Sequence, residues 1–206
     1  MITLYTWRTP NGCKVSIVLE ELGLPYQVRP IDITRNEQSS RDFRELNPNG
    51  TIPVIVDDQG PDGKPVTVIE SSAILLYLAG KGGRLLPARL RERMEALQWL
   101  MFQTGNVGPT LAQAHHFLRI APDLIPYAME RYSKETSRLY GVLDKRLTGH
   151  EWLAGSEYSV ADIATYPWIA HHNWQGQDPR KYPALRRWFE RIGARPAVQR
   201  GMEIPA

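Results

Sequence analysis

Hydrophobic residues at the start of the chain fall into short runs that predict a strand and then a helix. Ile2–Tyr5 is a β-prone run, and a loop follows it from Thr6 to Gly12. Apolar residues then recur at the spacing of one helix face: Val15, Val18, Leu19 and Leu22. Gly23 ends this pattern, as glycine often does after a last helical turn.

The pattern up to residue 80 continues to alternate between strands and helices. Further strands are predicted at Tyr26–Ile31, Ile52–Val56 and Val66–Ile69, and helical segments at Phe43–Leu46 and Ser71–Leu78. The last two strands flank a turn rich in Gly, Pro and Asp, so they form a hairpin. The predicted order is β-α-β-(α)-β-β-α, which indicates an α/β domain.

After residue 80 the patterns are helical only. Gly80–Pro87 holds three glycines and a proline and is the best linker candidate. Ser159 and Asp162 form a capping-box pattern at a helix start. Other helices are predicted at Glu92–Gln103, Pro122–Leu147 and Pro183–Gly193. We therefore predict a first domain at residues 1–80, a linker at 81–88 and an all-α domain at 89–206.

The composition excludes several classes of protein. Of the 206 residues, 42% are hydrophobic and 23% charged, values of an ordinary globular protein rather than a disordered or fibrous one. The net charge of +3 is too small to argue for nucleic acid, and the longest apolar stretch, Ala73–Gly80, is too short to cross a membrane. With one cysteine, Cys13, and no pattern of a secretory signal, the expected location is the cytoplasm.

The turn before the first helix is a candidate anion site. A strand, a loop and a helix start in that order leave backbone N–H groups free at Thr9–Gly12, at the positive end of the helix dipole. Such a position stabilises an anion or a thiolate. The simpler interpretation is a plain turn that Thr9 or Asn11 caps.

Two dipeptides also have both a functional and a structural interpretation. Pro53 has no N–H for a strand ladder, so Ile52-Pro53 belongs at a strand edge or at an irregular strand entry, where an open backbone can pair with an extended peptide ligand. Ser71 is a good N-cap residue, but its hydroxyl can instead hold a ligand carboxylate while Glu70 takes an ammonium group. An ordinary edge proline and an ordinary cap explain the same residues.

Taken in order, these features resemble the glutathione transferase family over essentially the whole chain. The resemblance rests on Thr9-Pro-Asn-Gly, Asn47-Pro-Asn-Gly-Thr-Ile-Pro53 and Ile69-Glu-Ser71. It implies a glutathione transferase fold, with a thioredoxin-like α/β N-terminal domain and an all-α C-terminal domain. The first turn and Glu37-Gln38 look most like the bacterial Nu class, related to the Ure2-like branch and known for glutathione-dependent disulfide reduction.

The resemblance also implies where glutathione binds. Thr9 and Asn11 would lie beside its sulfur, and the backbone of Ile52, before a cis Pro53, would pair with its cysteinyl part.

The two ends of the tripeptide would have their own residues. Glu70 and Ser71 would bind the γ-glutamyl part, and Gln38 would contact the glycyl end. Arg131 would reach the glutathione of the partner subunit in a homodimer.

The free energies needed to ionise a bound thiol favour glutathione itself as the nucleophile. A thiol of pKa near 8.5 is about 3% ionised at pH 7, and lowering that pKa by about two units takes roughly 2.7 kcal/mol. A hydrogen bond to an anion supplies about 1.5–3 kcal/mol, and a helix N-terminus up to about 1 kcal/mol. Thr9 and Gly12 stand where a Cys-x-x-Cys motif would have its cysteines, and we expect Cys13 to be a semi-buried structural residue.

We therefore predict a glutathione-dependent disulfide reductase with weak transferase and peroxidase activity, acting on a small disulfide or electrophile. Three alternatives stay open: a conjugating transferase, a non-catalytic glutathione-binding module and a thiol peroxidase that uses Cys13. Nucleic acid and membranes are not expected partners. No metal is expected, because the pairs His115-His116 and His171-His172 lack the i, i+4 spacing of two ligands on one helix face.

Overall fold

The computed structural model describes residues 1–205, which divide into two compact units. The first unit is Met1–Arg84 together with the segment from Arg195 onward, and the second is Leu85–Ala194. The helices are α1 (Pro10–Leu22), α2 (Arg41–Leu46), α3 (Ser71–Gly82), α4 (Leu90–Phe102), α5 (Gly108–His115), α6 (Pro126–Thr148), α7 (Val160–Ala170), α8 (Pro183–Gly193) and α9 (Pro196–Met202).

The first unit is built on a four-stranded mixed sheet with the strand order β2-β1-β3-β4. β1 (Ile2–Thr6) runs parallel to β2 (Tyr26–Pro30) and antiparallel to β3 (Val54–Asp57). β3 pairs in turn with the antiparallel β4 (Val66–Ile69), which is the hairpin expected from the sequence. The two central strands, β1 and β3, are buried along most of their length. The predicted α/β thioredoxin-like domain is confirmed.

α1 is more deeply buried than the apolar spacing predicts. That spacing predicts one buried face, yet every residue from Gly12 to Leu19 is buried. α3 and α9 both pack against α1. The Ser16 hydroxyl donates to the Gly201 carbonyl at 2.6 Å, which ties α9 to the middle of α1. The polar positions of α1 are therefore enclosed as well as the apolar ones.

The C-terminal segment differs from the predicted domain boundary. The helical patterns predict that all of residues 89–206 belong to the helical domain, whereas residues 195–205 group with the first unit. The physical reason is the packing of α9 on α1, a contact between residues almost the whole chain apart that no local pattern encodes. The predicted linker also begins too early, because α3 runs to Gly82.

The second unit is built from helices α4 to α8, so the predicted all-α character is confirmed, although α5 was not among the individual helices predicted. The start of α7 has the predicted capping box: the Asp162 carboxylate accepts the Ser159 N–H at 3.0 Å, and Ser159 Oγ accepts the Ala161 N–H at 3.3 Å. Asp162 also accepts from the indole N–H of Trp188 at 2.8 Å. This buried carboxylate therefore links α7 to α8. No helix within residues 1–205 is long and apolar enough to cross a membrane.

Replacing Gly201 with alanine tests the packing of α9 on α1. A Cβ at Gly201 would lie 2.6 Å from the Ile17 Cα, a collision with backbone. We expect Gly201→Ala to lower the free energy of unfolding by about 1–3 kcal/mol, measured by urea denaturation.

Gly80→Ala is the matched control, in α3 of the same unit. A Cβ at Gly80 meets no described atom within 4 Å, so alanine should leave stability unchanged or raise it by up to about 1 kcal/mol. Equal stability of the two variants would contradict close packing of α9 on α1.

Candidate functional site

Thr9 builds the turn that precedes α1. Its Oγ1 accepts a hydrogen bond from the Gly12 N–H at 3.1 Å, and its carbonyl accepts one from the Cys13 N–H at 2.9 Å. Thr9 is therefore the N-cap, as the simpler interpretation of the sequence expects. The capping bond uses only an acceptor site of the hydroxyl, so the hydroxyl hydrogen can still be donated to a ligand.

A cavity of about 200 Å³ in the first unit brings five of the predicted site residues together. Its lining comes from the start of α1, from the loop before β3 and from the turn between β4 and α3: Asn11, Asn49, Thr51, Ile52, Pro53, Glu70 and Ser71. The Ile52–Pro53 peptide bond is cis. Three separate stretches of chain thus meet at one concave surface.

Asn47 shapes the loop that carries Ile52. Its side chain is fully buried, donates from Nδ2 to the Thr51 carbonyl at 2.7 Å and accepts the Asn49 N–H at 3.0 Å. The β1–β3 ladder begins at Val54, so Ile52 lies outside its residue pairs. The backbone of Ile52 is thereby held at the irregular entry to β3, outside the strand ladder.

Glu70 opens α3 in an unusual conformation. Its φ of 67° lies in the left-handed region, which is uncommon for a residue other than glycine and which costs energy. Its side chain makes no capping hydrogen bond to α3. The start of α3 therefore differs from the start of α1. The side chain of its N-cap residue, Glu70, accepts no hydrogen bond from the backbone N–H groups of the first helical turn. Strain of this kind is common at ligand sites.

The other three predicted site residues, Thr9, Gln38 and Arg131, do not line this cavity. The Gln38 carbonyl lies close to Gly50, in the cavity-lining loop, and its Nε2 donates to Asn36 Oδ1 at 3.1 Å. The buried Oε1 of Gln38 has no hydrogen-bond partner among residues 1–205. Arg131 lies in the second unit, where with other residues of α6 and Thr110 it lines a different cavity of about 740 Å³.

Comparison with known proteins decides the family. The model of the glutathione S-transferase N-terminal domain matches residues 10–81, and that of the C-terminal domain matches residues 124–196. The disulfide-bond oxidoreductase YfcG of Escherichia coli (strain K12) is 49% identical over 96% of this chain and 93% of its own length. The chain belongs to the glutathione S-transferase family.

Solved structures of glutathione transferases are similar to this chain over nearly its whole length. The enzyme from Burkholderia graminis, with two glutathione molecules bound per subunit, is 44% identical with a TM-score of 0.94, and the match covers 99% of this chain and 88% of that one. The enzyme from Pseudomonas putida, with one glutathione disulfide bound per subunit, is 40% identical with the same TM-score, covering 100% and 92%. The glutathione transferase fold expected from the sequence is confirmed.

Lys14 is a residue of this glutathione transferase that the sequence analysis does not single out. Its side chain is only 2% exposed, and its Nζ donates to Ser71 Oγ at 3.3 Å. Burial lowers the pKa of Lys14 from 10.5 to about 7, and the charge of Glu70 opposes that shift. The one sequence signal was a lysine inside an otherwise apolar run, Cys13-Lys14-Val15.

Cys13 has the environment of a structural cysteine. Its side chain is 1% exposed, and its Sγ lies 3.9 Å from the Met202 carbonyl. Burial raises the pKa of the Cys13 thiol from 9.0 to about 11, so the thiol is protonated at neutral pH. Within residues 1–205, no three His, Cys, Asp or Glu side chains cluster as a metal ion would require.

The thiol of Cys13 should therefore react slowly in the native protein. A rise of about two units in its pKa lowers the thiolate fraction at pH 8 by roughly 100-fold relative to an ordinary cysteine, and burial slows the reaction further. Alkylation by iodoacetamide, followed by mass spectrometry, should be fast in urea and slow in buffer. Alkylation in buffer at the rate of a free thiol would contradict this assignment.

Proposed function

We propose that this protein is a glutathione-dependent disulfide-bond oxidoreductase with weak transferase and peroxidase activity. It binds glutathione in the first unit and reduces small disulfides through the glutathione thiolate. The observation that carries the proposal is the cavity that joins Asn11, Ile52-Pro53 and Glu70-Ser71 next to the capped start of α1. The name of the relative YfcG and the glutathione disulfide bound to the Pseudomonas putida enzyme support the same chemistry.

Each part of glutathione has a chemical counterpart at this site. The γ-glutamyl ammonium pairs with Glu70, and its carboxylate takes hydrogen bonds from Ser71 and the start of α3, which Glu70 leaves without a side-chain cap. The cysteinyl backbone pairs with Ile52. The glycyl end contacts Gln38, whose carbonyl lies close to Gly50 in the cavity-lining loop.

The sulfur of glutathione lies beside Thr9 and Asn11 in this proposal. The Thr9 hydroxyl, already fixed by its bond from Gly12, donates its hydrogen to the thiolate without further ordering. That bond and the dipole of α1 together supply about 2–4 kcal/mol, enough to ionise most of the thiol at pH 7.

The chemical steps are two thiol–disulfide exchanges. The bound thiolate attacks one sulfur of the substrate, forms a mixed disulfide and releases the other sulfur as a thiolate that takes up a proton. A second glutathione thiolate then attacks the mixed disulfide at the glutathione sulfur, which yields glutathione disulfide and the second reduced thiol. Two glutathione molecules supply the two electrons, and no sulfur of the protein takes part.

The finer classification is part of the same proposal. We assign the protein to the Nu class and to the cytoplasm, where a single cysteine stays reduced. We also propose a homodimer in which Arg131 reaches the glutathione of the partner subunit. Exposed apolar side chains favour such an interface: Leu124, just before α6, is 82% exposed, and Tyr127, in its first turn, is 75% exposed.

Substitution of Thr9 tests the source of thiolate stabilisation. Thr9→Ala removes the hydroxyl, and we expect kcat/KM for a small dialkyl disulfide to fall by roughly 10–100-fold. Thr9→Ser keeps the hydroxyl and should keep most of the activity. Thermal melts check that the loss of the cap, about 1 kcal/mol, leaves the variant folded. Equal activity of the two variants would contradict the role of the hydroxyl.

Substitution of Cys13 tests whether the protein supplies a sulfur. Cys13→Ser should keep wild-type turnover of the disulfide, because the buried thiol is protonated. The wild-type protein should turn over an aromatic halide more slowly than the disulfide. A folded Cys13→Ser variant without disulfide turnover would make Cys13 the nucleophile, and faster turnover of the halide would favour a conjugating transferase.

A further inference from the structure

We propose that Lys14 is a positioning residue for the γ-glutamyl carboxylate of glutathione. Its buried Nζ donates to the Ser71 hydroxyl oxygen, which directs the hydroxyl hydrogen toward the bound carboxylate and places a positive charge behind it. This inference rests on the proposed function, since it assigns a further residue to the same glutathione site.

The position of Lys14 shows that it acts through Ser71. Lys14 is on α1 and is 2% exposed, and it is not among the residues that line the cavity. Ser71 is the first residue of α3, lines the cavity and accepts from Lys14 Nζ at 3.3 Å. A buried lysine is costly to keep, and replacing such a charge with an apolar side chain is often neutral or stabilising. A function at the neighbouring site accounts for its presence.

The hydrogen bond from Lys14 determines what Ser71 can offer a ligand. A serine hydroxyl has one hydrogen to donate and two acceptor positions. Lys14 occupies an acceptor position, so the hydrogen of Ser71 is left for an acceptor on the ligand. A carboxylate is the acceptor that gains most, because hydrogen bonds to charged groups are roughly twice as strong as neutral ones.

Charges around the site match a group with one positive and one negative end. Glu70 is the carboxylate that acts on Lys14, and it attracts the ammonium of a γ-glutamyl group. Burial holds the pKa of Lys14 near 7, so its neutral and charged forms coexist in the unliganded protein at neutral pH. A carboxylate bound at Ser71 favours the charged form and raises that pKa.

The other charged groups on the elements that pack against α1 are neutralised by partners. These ion pairs are Arg195–Glu21 at 2.6 Å, Arg200–Glu20 at 2.6 Å, Arg8–Glu203 at 2.6 Å and Lys81–Asp57 at 2.8 Å. The remaining titratable side chains there are Tyr77 of α3, whose hydroxyl donates to Asp57 at 2.6 Å, and Tyr5 of β1. The charge of Glu70 acts on the pKa of Lys14, and a carboxylate bound at Ser71 would place a second negative charge close to the Lys14 Nζ.

Three S-methylated tripeptides separate the two ends of the γ-glutamyl group in a calorimetric binding experiment. S-methylglutathione has both charges, the 4-aminobutanoyl-Cys-Gly ligand lacks the carboxylate and the glutaryl-Cys-Gly ligand lacks the ammonium. Lys14→Met should weaken binding of S-methylglutathione and of the glutaryl ligand by roughly 10-fold or more, and leave the aminobutanoyl ligand unchanged. Glu70→Gln should instead weaken the two ligands that carry the ammonium.

Two controls separate positioning from a general effect. Lys64→Met removes the same charge from an exposed residue of the same unit and should bind all three ligands as wild type does. Lys14→Met should raise the KM for glutathione while kcat at saturating glutathione stays near that of wild type, because the sulfur end is untouched.

The titration of Lys14 can also be measured directly in the wild-type protein by NMR, so this test does not depend on the folding of a variant. With carbon-13 at the lysine ε-carbons, the NMR signal of Lys14 should titrate near pH 7 in the free protein. S-methylglutathione should move this titration to higher pH, and the aminobutanoyl ligand should not.

The outcomes distinguish this inference from the proposed function. Equal weakening of all three ligands by Lys14→Met, or no weakening of any, overturns the role of Lys14 while glutathione binding stands. A Lys14 titration that S-methylglutathione leaves in place overturns it as well. Failure of the wild-type protein to bind S-methylglutathione overturns both.

Discussion

The burial of α1 is the constraint on which the rest of the site depends. A helix N-terminus stabilises an anion more strongly where it is partly buried than where it is exposed to water. Here α3 and α9 enclose α1, and Ser16 anchors it to the Gly201 carbonyl. The ion pair of the nearly buried Glu21 with Arg195 adds a further attachment. The turn at Thr9 is thereby presented by a rigid helix rather than by a mobile loop.

In the proposed function, two helix starts in the first unit bind different parts of one peptide. α1 is capped by its own Thr9, which leaves a hydroxyl hydrogen for a sulfur anion. α3 receives no capping bond from the side chain of its strained N-cap residue, Glu70, which leaves its first turn for a carboxylate. Between them the loop shaped by Asn47 holds the backbone of Ile52 outside the strand ladder. On this proposal, the γ-glutamyl end of glutathione supplies affinity and the cysteinyl sulfur supplies reactivity.

Local features of the fold were predictable from the sequence, whereas tertiary ones were not. The end of α1 at Gly23, the β3–β4 hairpin and the capping box of Ser159 and Asp162 are confirmed because a few neighbouring residues specify each of them. α9 was missed, since its short helix is stabilised by α1 and not by its own periodicity. The same long-range contact explains why all sides of α1 are buried.

The site itself was predicted chiefly from the resemblance to a family. Spacing alone left Thr9, Ile52-Pro53 and Glu70-Ser71 as three separate features, each with an ordinary structural explanation, and only the folded chain brings the last two to one cavity. Lys14 could not be predicted, because a lysine in a helix is normally exposed and its burial depends on the elements packed around α1.

The central claim is that glutathione supplies the reactive sulfur and the start of α1 keeps it ionised. Its most direct test is the ionisation of glutathione bound to the Cys13→Ser variant, which has no other thiol, followed by the ultraviolet absorbance of the thiolate. The account predicts an apparent pKa about two units below the ordinary value near 8.5. A bound thiol that titrates at its ordinary pKa would contradict it.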